Sequence, residues 1–198
     1  MRKRAALIFS TLMLLCFVGC DKEEKRVPNF LVKFATVIKT ESSIAIELDN
    51  GVVLQYVNSS DLKVEEGNRV ILNYTPLEDG TIKINSIQKI FLDNIKSEGY
   101  SDKLKSDPIK IVSVWVSGNY LNMSFYVDFH SKEHSVALFR DEQADKPTLY
   151  FMYSRLDDPP GAPTLRHLSF NLDGLEKEDF AIYINTNKGE RRFEHKPK

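Results

Sequence analysis

The stretch "IAIELDNGVVLQYV", residues 44–57, alternates apolar and polar side chains on either side of a tight turn. Ile44, Ile46 and Leu48 share one face of an extended chain, because successive side chains of a strand point to opposite faces. Asn50-Gly51 is a strong signal for a two-residue hairpin, since both turn positions need a positive φ. The stretch therefore predicts two antiparallel strands, with Val52–Val57 as the returning strand.

Three more strands surround this hairpin in the first half of the chain. Leu31–Lys39 precedes it, and Arg69–Tyr74 and Thr81–Ile90 form a second hairpin across Glu78-Asp79-Gly80. Five short strands with turns between them are typical of a small closed barrel such as the OB-fold. We therefore assign residues 28–95 to an OB-like domain.

The second half predicts a different all-β unit. The apolar pattern fades between Leu92 and Pro108, so residues 96–107 are interpreted as a linker and residues 108–198 as a second domain. About seven strands, each apolar on one side, predict an immunoglobulin-like β-sandwich with Trp115 in its core. The predicted strands are Ile109–Val116, Tyr120–Phe129, Ser135–Arg140, Leu149–Ser154, Leu165–Leu172, Phe180–Thr186 and Arg191–His195.

The N-terminus has the features of an export signal. Arg2-Lys3-Arg4 precedes an apolar run from Ala5 to Val18, which is shorter than the roughly 20 residues of a spanning helix. Gly19 and Cys20 then resemble a bacterial lipobox, in which the cysteine sulfur receives a diacylglyceryl group. We predict a lipoprotein signal peptide at residues 1–19, lipidation of Cys20 and a charged tether at residues 20–27. An ordinary signal peptide with a stray cysteine is the alternative.

Lipidation would make a membrane the first partner of this protein. Acyl chains hold a protein to a bilayer without a spanning helix. The residues after the cysteine, Asp21 to Glu24, are similar to the acidic export tag of Bacteroidota surface lipoproteins. We expect attachment to the outer membrane, and both its periplasmic face and the cell surface remain open.

Composition excludes several classes of chemistry. The two cysteines, Cys16 and Cys20, lie in or next to the signal peptide, so the folded part has no disulfide, cysteine nucleophile or thiolate ligand. The net charge of −1 includes three basic residues of the signal peptide, so the remaining chain is more acidic. A nucleic-acid partner normally needs a basic face, and the outward positions of the predicted barrel offer no aromatic platform. We predict no nucleic-acid binding.

Catalytic and metal sites are not predicted either. His130 and His134 stand near Asp128 and Glu133, but they flank a predicted hairpin turn and not one face of a helix. No nucleophile elbow is present, and the adjacent acids Asp157-Asp158 lie in a proline-rich loop that we interpret as a solvated bend. We therefore expect no metal, no cofactor, no catalytic residue and no enzyme activity.

Three tyrosines are the candidate binding residues. Tyr120 and Tyr126 occupy the polar face of a strand whose other face is apolar, and Tyr183 alternates outward in the same way. An exposed tyrosine offers a flat apolar ring with a polar tip, which suits a glycan or protein contact. The alternative is cross-strand packing, in which each ring only covers its neighbours.

Three segments of the chain resemble the NigD-like lipoproteins, and the segment Trp115 to Asn122 is the most specific of them. The resemblance implies an OB-type domain followed by a β-sandwich behind a lipobox, without a settled activity. Two functions remain open: a lipid-anchored binding or accessory protein that contacts glycan or protein, and a structural or bacteriocin-immunity-type partner of a membrane complex. We expect a monomer. The matching segments are "GNRVILNYTPLEDG" (Gly67–Gly80), "DPIKIVSVWVSGNYLNMSFYV" (Asp107–Val127) and "HLSFNLDGL" (His167–Leu175).

Overall fold

The computed structural model describes residues 29–40, 43–57, 62–97 and 106–197. Within these ranges the chain forms thirteen strands and one short 3₁₀ helix at Leu175–Lys177, which confirms the all-β prediction. The strands are β1 (Leu31–Lys39), β2 (Ile44–Leu48), β3 (Val53–Leu54), β4 (Arg69–Pro76), β5 (Ile82–Lys89), β6 (Phe91–Lys96), β7 (Lys110–Ser117), β8 (Tyr120–Phe129), β9 (Ser135–Arg140), β10 (Thr148–Ser154), β11 (Ala162–Asn171), β12 (Phe180–Thr186) and β13 (Gly189–His195).

The first five strands form the predicted OB-like barrel in the order β3-β2-β1-β4-β5. The hairpin forms, but its turn is not the predicted two-residue one. Gly51 has a φ of 81°, whereas Asn50 does not have a positive φ. The amide of Leu48 donates to the carbonyl of Val52, so the loop has three residues, Asp49-Asn50-Gly51. The barrel closes where the amide of Ile82 donates a hydrogen bond of 2.9 Å to the carbonyl of Gln55. The inward-facing side chains of alternating positions form its core: Ala35, Val37, Ile46, Val64, Val70, Leu72, Tyr74, Ile82 and Ile84.

The other eight strands form the sandwich in the order β13-β12-β10-β9-β6-β11-β8-β7. The sheet folds over so that side chains from strands near its two ends share one core. There the rings of Phe125 in β8 and Phe151 in β10 lie 5.7 Å apart, edge to face. The seven predicted strands are present, and β6 joins them. The sequence assigned residues 91–95 to the barrel, whereas here they begin β6. The apolar residues of this strand, Phe91, Leu92 and Ile95, do not alternate with polar ones, so a period of two could not reveal it.

Strand β6 connects the two faces of the sandwich. Its first four residues pair in parallel with Leu168–Asn171 of β11, and its last two pair in parallel with Leu138 and Phe139 of β9. The strand therefore leaves one face and joins the other within six residues.

Trp115 is not in the sandwich core, contrary to the prediction. A register shift between Ile111 and Ser113 in β7 reverses the alternation, so that Val114 and Val116 pack inward. Trp115 then points towards the barrel, where its ring packs edge to face on Phe34 with centroids 4.9 Å apart.

A buried arginine joins the two domains. Arg69, the first residue of β4, has no exposed side-chain surface and forms an ion pair with Asp49 of the barrel, whose side chain is 8% exposed. Its guanidinium donates hydrogen bonds across the interface to Asn122 (3.0 Å) and Ser169 (3.2 Å) of the sandwich. The carbon at its centre also lies 4.0 Å from the ring centroid of Tyr120. Polar groups from both domains thus satisfy one buried charge, which fixes how the domains pack.

Candidate functional site

The three predicted binding tyrosines lie in three different surroundings. Tyr120 is half-buried under Arg69, and its hydroxyl accepts a hydrogen bond of 3.3 Å from Thr36. The expectation that Tyr120 lies on an exposed face is therefore wrong. Its face of β8 is polar in sequence, but the barrel packs on it and buries Asn122 and Ser124 as well.

Tyr183 is also half-buried. Its ring stacks on that of Tyr150 in the neighbouring strand, with centroids 5.2 Å apart and planes 16° from parallel. Tyr150 and Tyr183 are direct partners in the parallel pairing of β10 with β12. This is the arrangement expected of cross-strand packing.

Tyr126 has an exposed ring. Its residue is 36% exposed, and it lines a surface groove of about 500 Å³ at the end of β8. The ammonium of Lys110 lies 5.6 Å from the ring centroid. The remaining lining includes Asp107, Pro108, Val127, Asp128, Tyr153, Arg155, Pro163 and Asn187.

The charged side chains of this groove make no ion pairs within the described ranges of the chain. The carboxylate of Asp107 accepts one hydrogen bond of 2.8 Å from the backbone amide of Arg155. Lys110, Asp128 and Arg155 stand near it without a salt-bridge partner. Their donors and acceptors are therefore accessible to a polar ligand that rests on Tyr126.

Asp158 is buried and not solvated, contrary to its interpretation as part of an exposed bend. Its carboxylate accepts hydrogen bonds from the backbone amides of His130, Ser131 and Lys132 at 2.8–3.0 Å. It also lies 3.0 Å from Nε2 of His134. The proline-rich loop thus holds the β8–β9 turn in place. Asp157, next to it, is exposed and pairs with Lys132.

His134 stands at the centre of this network. Tyr153 lies behind it, with its hydroxyl 2.6 Å from Nδ1 of the imidazole. An imidazole that donates from Nε2 to Asp158 leaves Nδ1 to accept from Tyr153, so all three side chains are satisfied. Across the described ranges, no three His, Cys, Asp or Glu side chains gather in a way that would hold a metal ion.

The pKa values of this network favour one protonation state. Burial opposes the charged form of Asp158, but the three backbone amides and His134 outweigh it and hold the pKa of the carboxyl well below its usual range. Burial, reinforced by the charge of Asp107, raises the pKa of Tyr153 to about 12. The network therefore holds an ionised carboxylate and a protonated phenol at neutral pH.

A serine and a histidine that are distant in sequence also meet. Ser124 Oγ and His167 Nδ1 are 2.8 Å apart, and the ring of Phe34 packs on the imidazole with centroids 5.9 Å apart. Burial lowers the pKa of His167. Ser124 is buried beneath the barrel, so a substrate has no direct approach to its hydroxyl.

A second cleft, of about 580 Å³, opens where the two faces of the sandwich separate. Strand β6 pairs with β11 from Phe91 but meets β9 only at Ile95, so the start of β9 has no neighbour on this side. His134 and Tyr153 line the cleft on one side, and Phe91 and Arg166 line it on the other.

Cys20 and the whole of residues 1–28 lie outside the described residues, so lipidation stays a prediction. Within the part of the chain that the structure describes, no helix combines the length and hydrophobicity needed to span a bilayer.

Two family descriptions match this chain in succession. Residues 34–90 match the NigD-like N-terminal OB domain, and residues 92–195 match the NigD-like C-terminal beta sandwich domain. The first match ends and the second begins at the start of β6, and together the two matches cover both sheets. No curated protein matches the chain significantly.

Solved structures share the same two-domain fold. A protein of unknown function from Bacteroides vulgatus is 22% identical with a TM-score of 0.74, over 85% of this chain and 91% of its own. A NigD-like immunity protein from Bacteroides caccae is 24% identical with a TM-score of 0.63, over 87% and 99%. A candidate lipoprotein from Bacteroides fragilis is 12% identical with a TM-score of 0.64, over 85% and 98%. At these identities the likeness shows the fold alone.

Proposed function

Because the chain belongs to the NigD-like family, we propose that it is a lipid-anchored, non-catalytic binding protein of the bacterial envelope. The observation that carries this proposal is the groove beside Tyr126, where an exposed aromatic ring stands among charged side chains without ion pairs. A concave surface with one apolar platform and several polar groups is the usual form of a ligand site.

A glycan is the ligand class that suits this groove. The C–H face of a sugar ring packs on an aromatic ring, and its hydroxyls bond to carboxylates, amides and guanidinium groups at the edge. Tyr126 supplies the ring, and Asp128, Arg155 and Asn187 supply the three kinds of polar group. The protein would therefore hold an envelope or environmental glycan without changing it.

The way the titratable groups are used supports a non-catalytic role. Asp158 and His134 are bound to each other and to backbone or Tyr153, so neither is free to take a proton from a substrate. A phenol with a pKa of about 12 is a poor base or nucleophile at neutral pH. Ser124 is buried and its hydroxyl is bonded to His167.

The anchor is tested by replacing Cys20 with serine. We expect wild-type protein in the membrane fraction and Cys20→Ser in the soluble envelope fraction, because the serine hydroxyl cannot receive the diacylglyceryl group. Mass spectrometry of the N-terminal peptide should find Cys20 acylated and residues 1–19 removed. A variant that remains in the membrane would contradict the anchor.

The groove is tested with Tyr126→Ala, and Tyr183→Ala serves as the matched control. Truncation of a contact tyrosine costs roughly 1–2 kcal/mol of binding, which is a loss of about fivefold to thirtyfold in affinity. We expect Tyr126→Ala to lose retention on immobilised glycans at an unchanged melting temperature. Tyr183→Ala should lower the melting temperature and retain glycan binding, because its ring stacks on Tyr150. Equal glycan retention by both variants would refute the proposed site.

A second function, docking on a membrane protein complex as an immunity-type partner, is favoured by the surface of the barrel. Phe30, Leu31 and Val32 are 41–53% exposed where β1 begins. Val52 and Val53 are likewise exposed beyond the hairpin turn. Exposed apolar side chains in such number mark interaction surfaces. Photocrosslinkers at Val32 and Val53 in native membranes should capture a protein partner if this function is correct, whereas crosslinkers at Tyr126 should capture one only if the groove binds protein.

A further inference from the structure

The cleft between β6 and β9 leaves two aromatic core positions unburied. Phe91 is the direct partner of the buried Leu168 in the pairing of β6 with β11, yet it is 43% exposed. Phe129 lies on the same face of β8 as the buried Phe125 and Val127, and it is only half-buried. The cleft therefore has aromatic walls above an apolar floor, and a ligand could bury this apolar surface.

An arginine occupies a third core-facing position in this cleft. Arg166 is the partner of Phe125 in the pairing of β11 with β8, so it points to the apolar side of the sheet. Its guanidinium lies over the ring of Phe129, with the central carbon 4.2 Å from the centroid. Within the described ranges Arg166 forms no ion pair and its guanidinium donates no hydrogen bond. Arg166 is exposed, so its unpaired guanidinium is accessible to an anion that enters the cleft.

A second basic side chain at the rim of the cleft also favours an anionic ligand. Lys89, at the end of β5, also lines the cleft without an ion pair in the part of the chain that is described, and Glu133 is the acidic residue that lines it. The histidines do not compete for a ligand. His134 is bonded to Asp158 and Tyr153, and His167 is bonded to Ser124. Recognition of a charged head group therefore falls to Arg166 and Lys89.

We propose that this cleft binds an anionic amphiphile, with an alkyl chain on the apolar floor and a carboxylate or phosphate at Arg166 and Lys89. A volume of about 580 Å³ lies within the range of small-molecule sites. The planar fork of an arginine matches a carboxylate or phosphate with two parallel hydrogen bonds. The cleft and the groove beside Tyr126 share Val127 and Tyr153 in their lining, but Arg166 and Lys89 line the cleft alone, so either proposal could fail without the other.

The test uses the full chain after residue 19 with Cys20→Ser, because this protein needs no detergent that would occupy the cleft. Calorimetric titration with octanoate, decanoate and dodecanoate, each below its micelle concentration, should show affinity rising about fourfold per methylene. Dodecyl phosphate should bind as well as dodecanoate if the head-group site accepts any such anion, and more weakly if it is specific for carboxylates. Dodecyltrimethylammonium should bind at least fivefold more weakly than either.

Variants locate the binding on the cleft. Arg166→Gln should weaken dodecanoate binding about fivefold, and Glu133→Gln should strengthen it by removing the opposing charge. Arg140→Gln is the matched control, since Arg140 is an exposed arginine outside this cleft and should bind as wild type does. If Arg166→Gln fails to fold, Lys89→Gln on the exposed rim provides the same test. The proposal is overturned by no binding of dodecanoate, by equal binding of the cationic amphiphile, or by Arg166→Gln and Lys89→Gln that bind as wild type does.

Discussion

The buried ion pair between Arg69 and Asp49 should be one of the strongest single contributions to the stability of this protein. Asp49→Ala leaves a guanidinium with no exposed surface and only neutral partners, which include Thr36, Asn122, Ser169 and the ring of Tyr120. Removing one partner of a buried pair typically costs about 3–5 kcal/mol, because the other charge stays buried and uncompensated. We expect Asp49→Ala to lower the free energy of unfolding by that amount.

The double variant separates the charge from the packing. Arg69→Met with Asp49→Ala removes both charges, so its loss should be smaller than the sum of the two single losses by roughly 2 kcal/mol or more. Urea unfolding followed by fluorescence of Trp115, the sole tryptophan, is a suitable assay because this ring packs on Phe34 at the same interface.

An exposed pair provides the control for this experiment. Arg140 and Glu142 form an ion pair of 3.8 Å with both side chains substantially exposed, and Arg140→Met should cost less than about 1 kcal/mol. If Asp49→Ala costs no more than this control, or if the losses of Arg69→Met and Asp49→Ala are simply additive, the interface is not held by the charge pair and the reasoning fails.

Three more measurements test the turn, the loop and the buried phenol. Gly118→Ala should cost at least roughly 2 kcal/mol, since a Cβ there would lie 2.7 Å from the carbonyl oxygen of Asp49 at a φ of 54°, whereas Gly189→Ala, at a φ of 94° with no atom within 4 Å, should cost only about 1 kcal/mol. The lowered pKa of Asp158 gives stability that is present above about pH 4 and lost as the pH falls, so the difference in Tm between wild type and Asp158→Asn should shrink below that pH. The raised pKa of Tyr153 gives stability that is present below about pH 10 and lost towards pH 12, so the Tm of wild type should fall more over that range than the Tm of Tyr153→Phe.

Alternation along single strands was enough to predict the barrel and most of the sandwich. The hairpin at Asn50-Gly51 and the apolar face of β8 both depend on neighbours in sequence, and local patterns record such neighbours well. Strand β6 was not predicted because its apolar residues do not alternate in sequence, and its place in the sandwich is set by pairing with β11 and β9.

The candidate site was predictable only in part. Tyr126 remains an exposed candidate, but Tyr120 and Asp158 were misread for one shared reason. Each looks solvent-facing in sequence, and each is covered by a segment that is far away along the chain: the barrel covers Tyr120, and the β8–β9 turn surrounds Asp158. Parity identifies which face of a strand a residue occupies, but it carries no information on what packs against that face.

By itself, then, the sequence determined the all-β class, the OB-like barrel before a sandwich and the expectation of a lipidated cysteine, because periodicity, turn residues and the signal peptide are local features. Only the tertiary structure shows what the segments that resemble the NigD-like family do in this fold. Arg69, Gly118, Tyr120 and Asn122 meet at the interface between the domains, so the most specific part of the sequence holds the two domains together. These contacts join residues that are far apart in the chain, and only the packing of the two domains brings their charges and rings together.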